Sequence, residues 1–466
     1  MVFTSERKND FTQGSIARAI LGMSVPITLA QLINVLYNVV DRIYIGHIPG
    51  AGSLAFTGLG LCLPITTIAM AFSRLCGMGG APLCSIERGK GNDEKAELIM
   101  GNSFCLLLVL AAILTVMGLV FMRGILYAFG ASDETYPYAS AYASIYLMGN
   151  VAVLISLGMN SFINAQGFSR IGMLTVALGA IANIILDPIF IFALHMGVRG
   201  AAIATVIAQS CSAVWVMHFL TGKKAILKLK LCNMRIRVGL ARNILGLGTA
   251  GFNMSITNAI VQVIANRMLL SFGGDLYVGI MTAINSVREV VMMPIQGLTS
   301  GSEPVIGYNY GAGRFDRVRG AIGFMTRTAA VYNTVTWLII MTVPTLLMRV
   351  FVNDPLMLEA GKSAFRIYYA GYCLMVLQFS AQSSFVALGQ SKKAIFFSLL
   401  RKVIIVVPLM LILPYVGNLG VSGVFLAEPI SSLIGGTASF TTMALTVLRP
   451  MKRLERETEE RLTGSK

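Results

Sequence analysis

Four side chains in one early stretch have the types and spacing to hold a cation in an apolar setting. Gln31, Asn34, Asn38 and Asp41 fall at spacings 0, 3, 7 and 10, which is one face of an α-helix. The residues between them are largely apolar, so the stripe turns away from hydrocarbon towards protein or a water-filled cavity. Placing Asp41 as an ion near the centre of a bilayer would cost on the order of 3 kcal/mol. A carboxyl held there suits the binding and release of a proton. A structural alternative pairs Asp41 with Arg42 near the membrane edge. Asn183 and Asp187 form a second set, one helical turn apart and followed by Pro188. Proline removes a backbone hydrogen bond and frees a carbonyl oxygen near Asn183. A carboxylate, an amide oxygen and loose carbonyls suit either a proton or a sodium ion. Thr205, with Gln209 one turn on, adds a polar patch whose plainer reading is helix–helix hydrogen bonding.

The second half of the chain repeats the first stripe without its charge. Ser255, Asn258 and Gln262 lie 224 positions after Gln31, Asn34 and Asn38, and Ala265-Asn266 stands where Asp41 would. Its acids are Glu289 after Arg288, Glu303 before Pro304 and Glu428 before Pro429, each either structural or turned towards a transported molecule. Arg74, Arg267, Arg327 and Arg366 are candidate cations within the membrane, unless they reach to an interface along their stems.

The elements that must position these groups are membrane helices. The chain has 466 residues, 55% hydrophobic and only 12% charged, where a soluble domain would carry about 25% charge. Roughly twelve apolar runs are long enough to span, approximately 16–45, 54–84, 98–122, 137–160, 172–193, 200–220, 244–270, 278–308, 320–347, 361–387, 394–416 and 422–448. Basic residues collect in alternate loops. The middle connection holds Lys223, Lys224, Lys228, Lys230, Arg235, Arg237 and Arg242 with no acid. The positive-inside rule makes it and both termini cytoplasmic, with an even number of spans in each half. The net charge of +16 therefore belongs to loops beside anionic lipid and implies no nucleic-acid partner.

Three landmarks recur across half the chain. Pro82 within Gly80-Ala81-Pro82-Leu83 returns as Pro304 within Ser302-Glu303-Pro304-Val305 (304 − 82 = 222). Ala165-Gln166-Gly167-Phe168-Ser169 returns as Ala387-Leu388-Gly389-Gln390-Ser391 at the same offset. Gly197-Val198-Arg199-Gly200 returns as Gly420-Val421-Ser422-Gly423 at 223. Such repeats point to a transporter with its site between like halves. The expected fold is all-α and integral to the membrane: about twelve transmembrane helices in two six-helix lobes, related by a pseudo-two-fold axis along the membrane normal. The N-lobe would be 1–220, a solvated basic cytoplasmic linker 221–243, the C-lobe 244–448 and a cytoplasmic tail 449–466.

Several chemistries are excluded. No G-x-x-x-x-G-K-[ST] loop exists to hold ATP, the three histidines are far apart in sequence, and G-x-S-x-G is missing. The seven cysteines show no CxxC spacing. The expectation is a transporter, not an enzyme, with no cofactor beyond a coupling ion.

The chain resembles the multidrug and toxic compound extrusion (MATE) family over nearly its whole length. The resemblance rests on Pro26 followed by Asn34 to Gly46, with Asp41-Arg42-Ile43-Tyr44-Ile45-Gly46; on Gly79-Gly80-Ala81-Pro82-Leu83; on Asn183 to Pro188; and on Gly311-Ala312-Gly313 after Pro304. It is nearest to the MepA/DinF-like branch. The family implies alternating access and export of bulky, often cationic amphiphiles against a proton or sodium gradient. It implies that Asp41, Asn183, Asp187 and Thr205 form the N-lobe coupling site, with Asp41, Asn183 and Asp187 as metal ligands if the ion is sodium. The C-lobe carboxylates of the NorM-like branch are matched poorly, Glu289 alone being placed to stand in for them. Gln31, Asn34, Tyr37, Asn38, Tyr44, Asn258, Gln262 and Glu289 would line the substrate cavity. The expected setting is the plasma (inner) membrane of a prokaryote, with a functional monomer handling small amphiphilic cations. A lipid-linked precursor flippase is the alternative, which would call for a cavity lined with Arg and Lys.

Overall fold

The computed structural model describes residues 10–46, 52–129, 131–349, 355–453 and 455, with the side chains of Asn38, Arg42, Ile43, residues 52–57 and Ala259 outside that description. Among the described residues there is no strand. The first half runs α1 (Ile16–Gly46), α2 (Gly52–Gly89), α3 (Asp93–Val120), α4 (Met122–Ala128), α5 (Tyr136–Met148), α6 (Asn150–Ala165), α7 (Ser169–Pro188) and α8 (Gly197–Thr221). The second runs α9 (Val238–Gly311), α10 (Phe315–Thr342), α11 (Pro344–Arg349), α12 (Pro355–Tyr369), α13 (Met375–Ala387), α14 (Ser391–Leu399), α15 (Val407–Ile412) and α16 (Val421–Met443).

Eight of these stretches, some prolonged by a π- or 3₁₀-helical turn, are long and apolar enough to cross a membrane, and the pair α5 and α6, bent by 56°, makes a ninth. The count differs from the twelve runs of the sequence for local reasons. Gly274 takes a φ of 68° inside α9, so that one element contains two arms. In α10, charges in the first turns are followed by Arg327, Asn333 and several threonines, which lower the hydropathy of a helix of spanning length. The run 361–387 is broken at Tyr372–Leu374 by a 3₁₀ turn.

The repeat is visible in the backbone. Gly91 and Gly313 (313 − 91 = 222) both take positive φ, 77° and 71°, just past the ends of α2 and α9. Each is followed by an amide that reaches back five residues, Asn92 to Glu87 at 3.0 Å and Arg314 to Asn309 at 2.9 Å. Such a left-handed C-terminal turn caps helix carbonyls and favours glycine. Side chains repeat too: Asn160 Nδ2 donates to Gly172 O at 3.2 Å, and Gln382 Nε2, 222 positions on, donates to Ala394 O at 2.9 Å.

The chain forms two compact units, one built on Val25–Phe252 and the other on Phe11–Ser24 with the residues from Asn253 onward. In the first, α2 packs closely on the start of α9: a Cβ on Gly79 would overlap Ile244 O, and one on Gly248 would overlap Leu75 O. In the second, the N-terminal segment is held by Asn309 Nδ2 and Arg317 Nε, each donating to Phe11 O at 3.1 Å. The boundary in α1 falls between Ser24 and Val25, next to Pro26.

The middle connection is not simply solvated. Gln166 Oε1 accepts from Ile226 N and Leu227 N at 2.9 and 2.8 Å, Glu97 from Lys228 N at 3.0 Å, and Asn102 Oδ1 from Arg237 N at 2.7 Å. Ala225, Leu227 and Leu229 are buried while its seven basic side chains point outward. Acceptors on α3 and after α6 thus strap the segment to the first unit. The hydrogen bond and charge of Glu97 also hold the Lys230 ammonium above its usual pKa.

Candidate functional site

Three helices of the first unit bring Asp41, Asn183, Asp187 and Thr205 together. On α7, Asn183 and Asp187 are one turn apart, and Asn183 Nδ2 donates to Asp187 Oδ1 at 3.2 Å and to Thr205 Oγ1 on α8 at 3.4 Å. Asp41 of α1 lies against Asp187, the two carboxyls within hydrogen-bonding reach. All four are buried, Asp187 completely. Asn183 Oδ1 and Asp187 Oδ2 accept no hydrogen bond among the described residues. The centre is therefore rich in acceptors, with two carboxyls in contact. Such a cluster is matched by a proton or a small hard cation. Pro188 leads into a π-helical turn, Ile189–Ala193, a feature that loosens backbone carbonyls beside functional groups.

Tyr37 links this centre to a pocket. It stands near Asp41 and Asp187, and with Asn34, Ser156, Asn160, Thr175, Gly179 and Gln209 it lines a cavity of ≈ 30 Å³. That is room for about two waters, among polar groups set in a lining that also includes Leu157, Val176 and Ala180. Of the other predicted cavity residues in this unit, Gln31 is half-buried on α1, and Tyr44 meets Phe192 edge-on at 6.3 Å. Asn38 lies outside the described side chains.

The second unit is built differently. Asn285 Nδ2 donates to Gln262 Oε1 at 3.0 Å, and Gln262 Nε2 donates to Asn266 Oδ1 at 3.4 Å, so the repeated stripe is a chain of amides. Asn258 is half-buried one turn before Gln262, and Glu289 is exposed one turn after Asn285. Glu303 accepts from Ser383 Oγ at 3.2 Å. The fully enclosed charge centre is elsewhere: Glu428 accepts from Arg401 Nη2 at 2.5 Å and from Lys402 Nζ at 3.2 Å, with the three residues only 3 to 8% exposed. Arg288 Nη1 donates to Tyr368 Oη nearby at 3.0 Å. Arg74, Arg267, Arg327 and Arg366 are all exposed.

The family model MatE matches residues 26–189 and 252–412. The chain belongs to the MatE family. Similar curated proteins include the multidrug export protein MepA of Staphylococcus haemolyticus, 25% identical over 413 residues that cover 88% of this chain and 90% of that one. MepA of Staphylococcus saprophyticus is 25% identical over 91% of this chain and 93% of that one. Among solved structures, a MATE protein in the bent conformation superposes with a TM-score of 0.89 at 22% identity, over 96% of this chain and 98% of that one. An outward-facing multidrug resistance MATE family transporter of the MOP superfamily gives 0.86 at 22% identity, over 96% and 98%. The fold is thus the twelve-helix, two-lobe MATE fold, and the protein is a multi-pass membrane transporter, not an enzyme.

Sequence reasoning missed several groups in this MatE chain. Tyr142 of α5 lies beside Asp41 and reaches Thr205, and it is buried. Its signal was the pair Tyr142 and Tyr146, one turn apart with stacked rings. Asn285 stands one turn before Glu289 on the same helix face, and that spacing was the signal available for it. Arg401 and Lys402 are adjacent cations inside an apolar run, an arrangement whose cost only a buried partner offsets.

Proposed function

We propose that this MatE protein is a secondary active exporter of bulky, often cationic amphiphiles, coupled to a proton or sodium ion and working by alternating access. The observation that carries the reading is the acceptor-rich contact of Asp41, Asp187 and Asn183 inside the first unit. Two touching carboxyls repel unless a proton or a cation lies between them. Ion entry relieves that repulsion and changes the hydrogen bonds that α1 makes through Asp41. Tyr37 belongs both to this centre and to the polar pocket, so ion occupancy and pocket shape are linked. Pro26 gives α1 a weak point for bending at the boundary between the units. The naming of the Staphylococcus relatives as multidrug export proteins supports the cargo class.

Gln31, Asn34, Tyr37, Asn38, Tyr44, Asn258, Gln262 and Glu289 line the substrate path in this reading, with aromatic faces and acids suited to flat cations. The protein works as a monomer of two six-helix lobes, 1–220 and 244–448, in the plasma membrane of a prokaryote, its termini and the 221–243 linker cytoplasmic. Export of a polyanionic lipid precursor is the weaker reading, because Arg401 and Lys402 are buried against Glu428.

Efflux of a fluorescent cationic dye from proteoliposomes tests the proposal, with a pH gradient and a sodium gradient imposed separately. Dye movement under one gradient, lost in Asp41→Asn, is the expected result. Equal transport by Asp41→Asn would remove the coupling role.

A further inference from the structure

The repeat places the charge centre of the second unit where the first unit has its pocket. At the offset of 222, Gly179 and Ala180 become Arg401 and Lys402, and Tyr146 becomes Tyr368. At the offset of 223 that relates Gly197 to Gly420, Thr205 becomes Glu428 and Ser212 becomes Gly435. The frame is supported by the shared turns at Gly91 and Gly313 and by the shared bonds from Asn160 and Gln382. Ser169 and Ser391, also 222 apart, open α7 and α14.

Packing around these positions is exchanged between the halves. In the first unit Gly179 faces Ser212, and a Cβ on Gly179 would meet Ser212 Oγ at 2.5 Å. Gly179, Ala180 and Ser212 all line the polar pocket. In the second unit the glycine is on the other helix: a Cβ on Gly435 would meet Cβ and Cγ of Arg401 at 3.2 Å. One half keeps the α7 position small, which leaves a pocket. The other keeps the α16 position small, which admits the Arg401 stem. Arg401 and Lys402 then bring their charged ends to Glu428 at 2.5 and 3.2 Å.

We propose that the C-lobe carries its cation covalently: Arg401 and Lys402 are built-in occupants of a small-cation site whose carboxylate is Glu428. Arginine does not lose its proton in proteins, so Glu428 stays matched in every state of the cycle. The second lobe then has no use for an exchangeable ion. Ion coupling is confined to Asp41 and Asp187 of the N-lobe, a corollary that rests on the proposed export function, whereas the built-in occupancy does not.

Restoring the N-lobe residues at the two cationic positions tests the occupancy directly. The double variant Arg401→Gly with Lys402→Ala removes both cations that contact Glu428, leaving Arg288 nearby on Tyr368. Its thermal unfolding would be followed in detergent with sodium, methylammonium or choline added. The expected result is a saturable rise of a few degrees with sodium or methylammonium, and little with the bulkier choline. The triple variant, which adds Glu428→Thr to complete the N-lobe set, should fold and show no such dependence. The proposal is overturned if the double variant responds to cations no more than the unaltered protein, or if the triple variant responds equally. It is also overturned if the triple variant folds while no cation recovers the double, or if the triple itself fails to fold. None of these readouts involves transport, so a failed dye-efflux experiment and a failed cation response are separate results.

Discussion

Loss of charge at two buried acids of this protein should have opposite consequences for stability and transport. In Glu428→Gln the amide keeps the shape of the side chain but leaves Arg401 and Lys402, 5% and 8% exposed, without their counter-charge. Removing one partner of a buried pair costs about 3–5 kcal/mol, a large share of a total that is usually about 5–15 kcal/mol. In Asp187→Asn the situation is reversed. Among the described residues no buried cation pairs with Asp187; its neighbours there include Asp41 and Asn183, and Asn183 Nδ2 can donate to an amide oxygen as it does now at 3.2 Å. One of two repelling carboxyls is removed and a hydrogen bond worth about 1 kcal/mol is kept. The net change should stay within about 1 kcal/mol, while gradient-driven efflux is lost. Both variants would be unfolded by heat in detergent with a thiol-reactive dye, for which the buried Cys62, Cys76 and Cys84 are natural reporters. Dye efflux would be measured on the same preparations. A Glu428→Gln protein as stable as the unaltered one, beside an Asp187→Asn protein several kcal/mol weaker, would refute this electrostatic reasoning.

Other consequences follow from particular contacts. Tyr142→Phe removes a hydroxyl from beside Asp41 and Thr205, and should weaken the apparent affinity for the coupling ion by about tenfold at most; the ion dependence of efflux would show it. Gly248→Val pushes a side chain into Leu75 O, an overpacking that should cost about 1–3 kcal/mol and lower the thermal midpoint. Gln166→Ala strands the amides of Ile226 and Leu227 and should cost about 1–3 kcal/mol, seen as faster proteolysis within 221–243.

Much of the architecture was legible before any coordinates. Apolar runs of spanning length, an offset of 222 and basic loops define a membrane protein of repeated halves, because a bilayer leaves the backbone few choices. The stripe of Asn34 and Asp41 and the pair Asn183 and Asp187 were legible because a polar residue amid hydrocarbon needs a reason to be there. The strap was not: seven cations without an acid read as a solvated loop, and only the fold brings Glu97, Asn102 and Gln166 to its backbone. Nor could sequence separate the acids of the second half. Glu289, Glu303 and Glu428 look alike along the chain, yet one is exposed, one accepts from a serine and one is enclosed by two cations. Periodicity is a property of one helix, so sequence determined which faces are polar. Which faces meet, and therefore which charges are matched, depends on side chains far apart in the chain, and only the tertiary structure decided that.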